Sequence, residues 1–426
     1  MKRILCFFDY HTTTGYGTVT KNLVRLIKDY FGDKIQLDIL AMNYFGKPYM
    51  LPDKSTVVIS AAEIGKDSGK TDPMERDRFG FLKCLKTGDR DNKPYDGVFV
   101  LNDVSLIAPI VSVMEMLKLE KKTANPPQKQ FKTILYAPSD GRLFPLLMKD
   151  IEKLDMLITF TEYAKREMEA VKPELKGKIN IIPHGTNTKD FHPIEDKDAV
   201  FKFREEYFCG DTANKYIISN INRNQPRKDI PSTIFAFMRL KEIWQDHNIK
   251  PFLYLHMNPK DPQGWNLPAL LAQTPLQELE DYMLIPSDIE NHGASTEMLN
   301  KIYNASDLYV TTTHGEGWGL SVTEAMTCKV PVVAPLNTSI KEITLDGALI
   351  YGMDKFYPSC NTVDCLVRER VSHEQTATTL LRAFQQRGSV GQKAMIDAAY
   401  EHVSKYTWES AAKQFCKYFE QVYGIK

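Results

Sequence analysis

The 426-residue chain has no charge surplus of either sign: Lys+Arg and Asp+Glu both total 54. That balance gives no general nucleic-acid footprint, which needs a basic excess or stripe. Nor is there an apolar run approaching the roughly 20 residues that cross a bilayer. The first apolar stretch, residues 4–8, is too short for the core of a signal peptide and reads as a strand. The 7 cysteines are scattered, and only Cys360 and Cys365 lie close together. Such a set suits free thiols in a reducing compartment better than a disulfide framework. Zinc-type Cys/His spacing is missing too, with His11, His184, His256 and His314 dispersed. A soluble cytoplasmic protein without a transmembrane segment is expected. The sequons at Asn304 and Asn337 then have no secretory context and read as chance matches.

What is present is length and alternation. A chain this long exceeds one ordinary core, so two domains are expected. Apolar runs at 4–8, 35–40, 56–60, 97–101, 133–136, 156–160 and 179–182 read as short strands. Helical patterns at 18–30, 105–117, 145–153 and 162–171 fit between them. The alternation repeats after residue 190, with strands at 216–220, 252–256, 282–285, 308–312 and 331–334. Helices are expected there at 232–245, 296–304, 320–328, 339–345, 375–386 and 390–404. This is the signature of doubly wound parallel sheets, twice over. Two stretches break it: 65–94 reads as a polar surface excursion and 118–132 as a lysine-rich exposed loop. The tail from Thr407 to Tyr423 carries Trp408, Ala411, Phe415, Tyr418, Phe419 and Val422 at helical spacing, a stripe that must be buried. Open α/β sheets bind ligands beyond the carboxyl ends of their strands, so a cleft between two such domains is the expected site.

One stretch stands out. The run 307–312 leads into His314-Gly-Glu316-Gly317-Trp318-Gly319-Leu320-Ser321-Val322-Thr323-Glu324-Ala-Met326, followed by a second apolar run at 330–334. Strand, glycine turn, helix and strand form a βαβ unit. Gly317 and Gly319 allow close approach of a ligand to the amides of 318–322, where a helix start favours an anion. A capping box of Ser321 and Glu324 explains the helix start without a ligand, but not the glycine run or the second acid, Glu316. After the strand at 216–220 come Arg223 and Lys228, in a strand-to-helix loop. Two cations there suit a diphosphate; a solvated polar loop fits those two residues equally well.

Together these motifs resemble family 4 glycosyltransferases, retaining enzymes of the GT-B fold. The resemblance rests on Glu316-x7-Glu324 and on the Arg223-x4-Lys228 pair. It also rests on Ile182-Pro183-His184-Gly185 with Phe191 and Pro193, on Gly15-Tyr16-Gly17, and on Tyr406-Thr407-Trp408-Glu409, all in the family's order. It implies two Rossmann-like domains facing a cleft, an acceptor-side domain at 1–190 and a nucleotide-sugar domain at 191–405. A closing helix at 406–426 would cross back to the first domain. It implies a metal-independent hexose transfer, with retention, from a UDP- or GDP-sugar to a hydroxyl acceptor. No cofactor is permanently bound and no metal is expected.

By the same resemblance Glu316 holds donor-sugar hydroxyls, with Gly317, Trp318, Gly319 and Leu320 against sugar and phosphate. Glu324 takes the ribose, Arg223 and Lys228 neutralise the diphosphate, and Gly15 and Gly17 let the first domain approach the donor. Asp140, in Ser139-Asp140-Gly141, stands near where many members carry an acceptor-side His, although a turn-forming Asp fits equally. The acceptor class stays open among glycan, small molecule, protein and modified nucleic acid. The alternatives are a GT-B epimerase or glycogen-synthase-like enzyme, and a catalytically degenerate nucleotide-sugar-binding module.

Departures from the pattern are Asn222 before the Arg, Asp229 after the Lys, and Pro335-Leu-Asn337-Thr338-Ser339 in place of a glycine-rich loop before Glu342. The Asp-x-Asp pairs at 89/91 and 196/198 lie in charged stretches and read as solvated.

Overall fold

The computed structural model describes residues 1–12, 15–88, 92–208, 212–360 and 366–425, with only the backbone for 105 and 290–292. The Asp89/Asp91 pair and Cys365 lie outside the described residues. The chain divides into two compact units: Met1–Ser139 with Leu143–Gly185 and Thr407–Lys426, and Asp140–Arg142 with Thr186–Tyr406.

The first unit is built on strands β1 (Lys2–Asp9), β2 (Ile35–Met42), β3 (Tyr49–Met50), β4 (Val57–Ser60), β5 (Gly97–Leu101), β6 (Lys132–Tyr136), β7 (Met156–Thr159) and β8 (Ile179–Ile181). Their order is β3-β4-β2-β1-β5-β6-β7-β8. All pairs are parallel except β3 with β4. Residues 4–8 of β1 are all buried, the continuous apolar run that a strand covered on both faces requires. The winding reverses between β1 and β5, where a crevice opens beyond the strand ends.

The helix Gly15–Phe31 begins three residues earlier than its apolar periodicity suggests, so Gly15 and Gly17 stand in its first turn rather than in a loop. A Cβ on Gly17 would lie 2.2 Å from the Thr12 carbonyl oxygen, which explains the glycine without any ligand.

Three expectations fail here. The stretch 65–94 is not an excursion, since it contains the helix Pro73–Thr87, capped by Asp72 and burying Asp77, Phe81, Cys84 and Leu85. Its buried stripe includes the acid Asp77, while Met74 and Phe79 are exposed among the charged residues, so composition hid it. The helix expected at 105–117 runs Val104–Thr123 and takes the start of the supposed lysine-rich loop, with Lys121 buried. The helix expected at 145–153 is two short 3-10 turns, Pro145–Met148 and Ile151–Lys153.

The terminal helix Trp408–Tyr423 belongs to this first unit. Phe415 and Phe419 meet Phe99 of β5 at ring distances of 5.4 and 5.2 Å, and Tyr423 donates to the Val98 carbonyl at 2.7 Å. Gly185 is required at its start, because a Cβ would stand 2.2 Å from the Trp408 nitrogen. His184 lies 4.0 Å from the Phe160 ring, and burial lowers its pKa to about 3, so it is a neutral core residue.

The second unit has β9 (Lys215–Ile221), β10 (Lys250–His256), β11 (Tyr282–Leu284), β12 (Leu308–Val310), β13 (Val332–Pro335) and β14 (Tyr351–Met353), ordered β11-β10-β9-β12-β13-β14 and parallel throughout. An antiparallel hairpin, β15 (Phe356–Cys360) with β16 (Val367–Val371), is added and had no clear signal in sequence. The Asp196 carboxylate accepts from the Ala199 amide at 2.9 Å, so the 196/198 pair begins the helix Lys197–Tyr207. Here the winding reverses between β9 and β12, whose following loops carry the Arg223–Lys228 and Glu316–Glu324 stretches.

Candidate functional site

The site is assembled from those two loops. Beyond β9 the chain passes through Asn222 and Arg223 into a 3-10 turn, Pro226–Lys228, and then Asp229 in the left-handed region at φ 47°. Beyond β12 it runs through three buried threonines, 311–313, to His314. The His314 amide donates to the Arg227 carbonyl at 2.7 Å, which ties the loops together. One imidazole nitrogen of His314 lies 2.9 Å from Asp229 Oδ2 and the other 3.1 Å from Ser359 Oγ. His314 is thus a structural strut, and Asp229, a departure from the family pattern, is its partner.

Glu316 is the centre. Its carboxylate is buried and accepts from Lys228 Nζ and, at 3.0 Å, from Arg227. Arg227 also donates to the Gly315 carbonyl at 2.9 Å and stands 3.3 Å from Asp140, which accepts from Arg368 at 2.7 Å. The result is a chain of alternating charge, Arg368–Asp140–Arg227–Glu316–Lys228. Burial pushes the Glu316 carboxyl up, but Lys228 and Arg227 outweigh it and hold the pKa at about 2. Burial is the larger effect at Lys228 and lowers its pKa to about 8 despite Glu316. Both groups are therefore charged at neutral pH.

The Glu316 loop is braced from beneath by residues that sequence reading did not assign. Thr338 Oγ1 accepts from the Glu316 amide at 2.9 Å. Ser339 Oγ lies 2.8 Å from the Glu316 carbonyl and 2.9 Å from that of Trp318. Asn337 donates to the His314 carbonyl at 2.9 Å. The segment replacing the glycine-rich loop thus works through its side chains. Three short hydrogen-bonding residues in a row are the only signal that could have found it.

Gly319, at φ 100°, starts the helix Leu320–Thr327, and its carbonyl takes the amides of Val322 and Thr323 at 3.0 and 3.1 Å. Of the amides expected to face a ligand, that of Val322 is therefore occupied. The capping box is not formed. Ser321 Oγ instead accepts from Tyr309 at 2.8 Å, and Glu324 accepts from Tyr303 at 2.9 Å. Burial raises the Glu324 pKa to about 7, against the pull of the Tyr303 hydrogen bond. Trp318 is buried and meets Tyr406 edge-on at 5.2 Å. Asn222 joins the two acids' surroundings, its Oδ1 accepting from Lys228 at 2.9 Å and from Ser321 at 3.3 Å.

Of the residues singled out in sequence, Glu316, Lys228 and Asp140 join one network, with Glu324 linked through Tyr303, Tyr309, Ser321 and Asn222. Arg223 does not join it. Its side chain is exposed and donates to Asp261 at 2.9 Å and Gln263 at 3.2 Å. The arginine on Glu316 is Arg227, which motif spacing did not indicate. Gly15 and Gly17 belong to the first unit.

Two α/β units, each with a largely parallel sheet, and this acid–base arrangement are the features to set beside known proteins. Residues 269–382 match the family model for glycosyl transferases group 1. Over 265 residues the chain is 26% identical to a probable sucrose-phosphate synthase of Thermosipho melanesiensis, covering 61% of this chain and 51% of that one. It is 29% identical over 209 residues to a trehalose synthase of Pyrococcus horikoshii, covering 47% and 46%. The chain spans about half the length of the curated relatives it matches. Among solved structures, sucrose-phosphate synthase from Thermosynechococcus elongatus superposes with a TM-score of 0.69 at 15% identity, over 100% of both chains. Anabaena HepE in complex with UDP-glucose does so with 0.65 at 11% identity, over 99% and 100%. At these identities the solved structures speak for fold. The solved structures show the GT-B fold for this chain, as the sequence resemblance implies, and over residues 269–382 the chain is similar to glycosyl transferases group 1. They do not divide family 4 from family 1.

Proposed function

We propose that this protein transfers a hexose from a UDP- or GDP-sugar to a hydroxyl acceptor, with retention of anomeric configuration and without a metal ion. The observation that carries the reading is the buried Glu316 carboxylate, held ionised by Lys228 and Arg227 beside a glycine-opened helix start. A carboxylate fixed in this way is an acceptor for sugar hydroxyls. Lys228 is then the cation nearest the sugar, placed to meet negative charge on a departing diphosphate. Arg223, exposed at the mouth of the same loop, supplies a second cation for it.

As the glycosidic bond breaks, the sugar becomes oxocarbenium-like and the diphosphate gains charge. Each 1.4 kcal/mol of extra stabilisation at that point gives about tenfold in rate. Fixed cations and the Leu320–Thr327 helix start supply such stabilisation without reorganising water. That leaves the acceptor hydroxyl to attack from the face the diphosphate leaves, which retains configuration. Glu316 is committed to two cations, so it is read as a holder of the sugar and not as a nucleophile. Glu324, with its raised pKa, is read as the ribose ligand. The Anabaena protein of the same fold forms a complex with UDP-glucose, which supports a uridine donor.

The test is incubation of the full chain with UDP- and GDP-hexoses and an acceptor panel in the presence of EDTA. Nucleoside diphosphate release with an α-linked product from an α-linked donor is expected. An inverted product, or activity abolished by EDTA and restored by a divalent metal, contradicts the reading.

A further inference from the structure

The hairpin β15–β16 meets the surroundings of Glu316 at three points. Ser359 Oγ lies 3.1 Å from Nδ1 of His314, and the Glu369 carbonyl accepts from the Asn337 side chain at 3.0 Å. The third point is Arg368. It stands directly opposite Ser359 in the hairpin register, so the two side chains leave the same face. Arg368 donates from Nε to the Asp140 carbonyl at 3.2 Å and from a terminal nitrogen to Asp140 Oδ1 at 2.7 Å.

The segment that Arg368 holds is tied in by its backbone too. The Arg142 amide donates to the Val367 carbonyl at 3.0 Å, an antiparallel bridge on the outer edge of β16. On the other side the Glu316 loop packs against it, since a Cβ on Gly315 would stand 2.0 Å from the Asp140 carbonyl oxygen.

Every carboxylate oxygen along this path has its own cation. Asp140 gives Oδ1 to Arg368 and Oδ2 to Arg227, at 2.7 and 3.3 Å. Glu316 gives Oε2 to Arg227, at 3.0 Å, and Oε1 to Lys228. Arg227 therefore lies between two carboxylates, with Nε toward one and a terminal nitrogen toward the other. A guanidinium is planar with donors fixed in direction, so holding it at both ends fixes its plane. The Arg227 side chain is 26% exposed and that of Arg368 only 3%. The buried arginine is the anchor, and the more exposed one is the part held in place.

The consequence falls on Glu316. If Arg227 swings toward solvent, the Glu316 carboxylate keeps Lys228 alone and can turn about that single contact. The direction of its oxygens decides which hydroxyl arrangement they meet. A site built to bond a particular hydroxyl rejects a sugar that lacks it there.

We infer that Arg368 is a positioning residue for sugar selection: through Asp140 it holds Arg227 on Glu316, and so orients the carboxylate that meets the hexose. This rests on the donor reading given above, in which Glu316 faces the sugar. Asp140 is then a strut between two arginines, and the hairpin is part of what selects the donor.

The experiment uses the full chain and two readouts. The first needs no ligand: with isotope-labelled arginine, the Arg227 Nε–H resonance is assigned by its loss in Arg227→Lys. Its exchange with water is expected to quicken at least about tenfold in Arg368→Gln, and to stay near wild type in Arg368→Lys, which keeps the charge. The second compares binding of epimers on one nucleotide, UDP-glucose with UDP-galactose and GDP-glucose with GDP-mannose, beside UDP and GDP alone. Arg368→Gln should lower the preference between epimers at least about fivefold, with affinity for the bare nucleotide within about twofold of wild type. Arg368→Lys should restore part of that preference. In an Arg227→Ala background Arg368→Gln should change the preference no further, because both act through one contact. Asp140→Asn should match Arg368→Gln in sugar preference, and it carries the test if Arg368→Gln does not fold.

An unmoved Arg227 resonance, or a loss of preference that adds in full to that of Arg227→Ala, overturns the inference. So does wild-type preference in Asp140→Asn, or equal binding of both epimers by the wild type. A responding Arg227 resonance in a chain that binds no UDP or GDP compound upholds the hold on Glu316 and refutes the donor reading instead.

Discussion

The Lys228 ammonium donates to the Glu316 carboxylate where both side chains are less than a tenth exposed, 9% and 8%. A pair so placed contributes little net stability by itself, since desolvation offsets most of the attraction. Removing one member is a different matter, because it leaves a buried charge behind. Glu316→Ala leaves the buried Lys228 on the neutral Asn222, while Arg227 keeps Asp140, and a loss of about 3 kcal/mol is expected from urea unfolding. Lys228→Ala leaves Arg227 on Glu316 and should cost clearly less. Equal losses would show that Arg227 does not share the carboxylate.

Arg223 and Arg227 should separate in kinetics. Arg223 is exposed and paired with Asp261, so Arg223→Ala is expected to change stability by no more than about 1 kcal/mol, while weakening nucleotide binding. Arg227→Ala removes a brace of Glu316 and should lower unfolding stability and alter discrimination among hexoses. Loss of sugar discrimination in the Arg223 variant instead would reverse the two roles.

The pH profile of kcat/KM reports free-enzyme groups. Burial raises Glu324 to about 7, so its carboxylate becomes available to ribose hydroxyls only as pH rises through that value. Burial lowers Lys228 to about 8, so its charge is lost above that value. A narrow bell between these limits is expected, and Glu324→Gln should remove the acidic limb alone. The stability contribution of Glu324 runs the opposite way. A carboxyl raised in the folded state stabilises fully below the unfolded pKa and loses that contribution as pH rises through about 7. An acidic limb that persists in Glu324→Gln would assign it to another group.

Ser339→Ala deprives the buried carbonyls of Glu316 and Trp318 of their shared donor. A destabilisation of about 1–3 kcal/mol is expected, the cost of unmatched buried polar groups, with a raised KM for the donor. A variant matching wild type in both would show that the Glu316 loop holds its shape without this brace.

Much of this was legible because local patterns and tertiary demands agree. Residues 308–312 and 331–334 read as buried strands because a parallel sheet covered on both faces needs continuous apolar runs. The Glu316–Glu324 turn was legible because Gly319 must take φ 100°. Other parts depend on contacts that spacing does not encode. Whether Arg223 or Arg227 faces Glu316 is set by the left-handed backbone at Asp229 and its bond to His314. The helix Pro73–Thr87 was hidden because its buried stripe includes Asp77, and an acid in a core face looks like surface. The hairpin Phe356–Cys360 with Val367–Val371 is half polar and sits outside the parallel sheet, so neither alternation nor an apolar run marks it.

The central claim is that Lys228 and Glu324 serve a nucleotide-sugar donor. It is tested most directly by nucleoside diphosphate release from UDP- and GDP-hexoses, with EDTA and an acceptor panel, in wild type, Lys228→Ala and Glu324→Ala. Release and a glycosylated product are predicted for wild type, with each variant folded and at least about a hundredfold slower. Turnover within a few-fold of wild type in either folded variant, or no release by wild type with any donor, would contradict it.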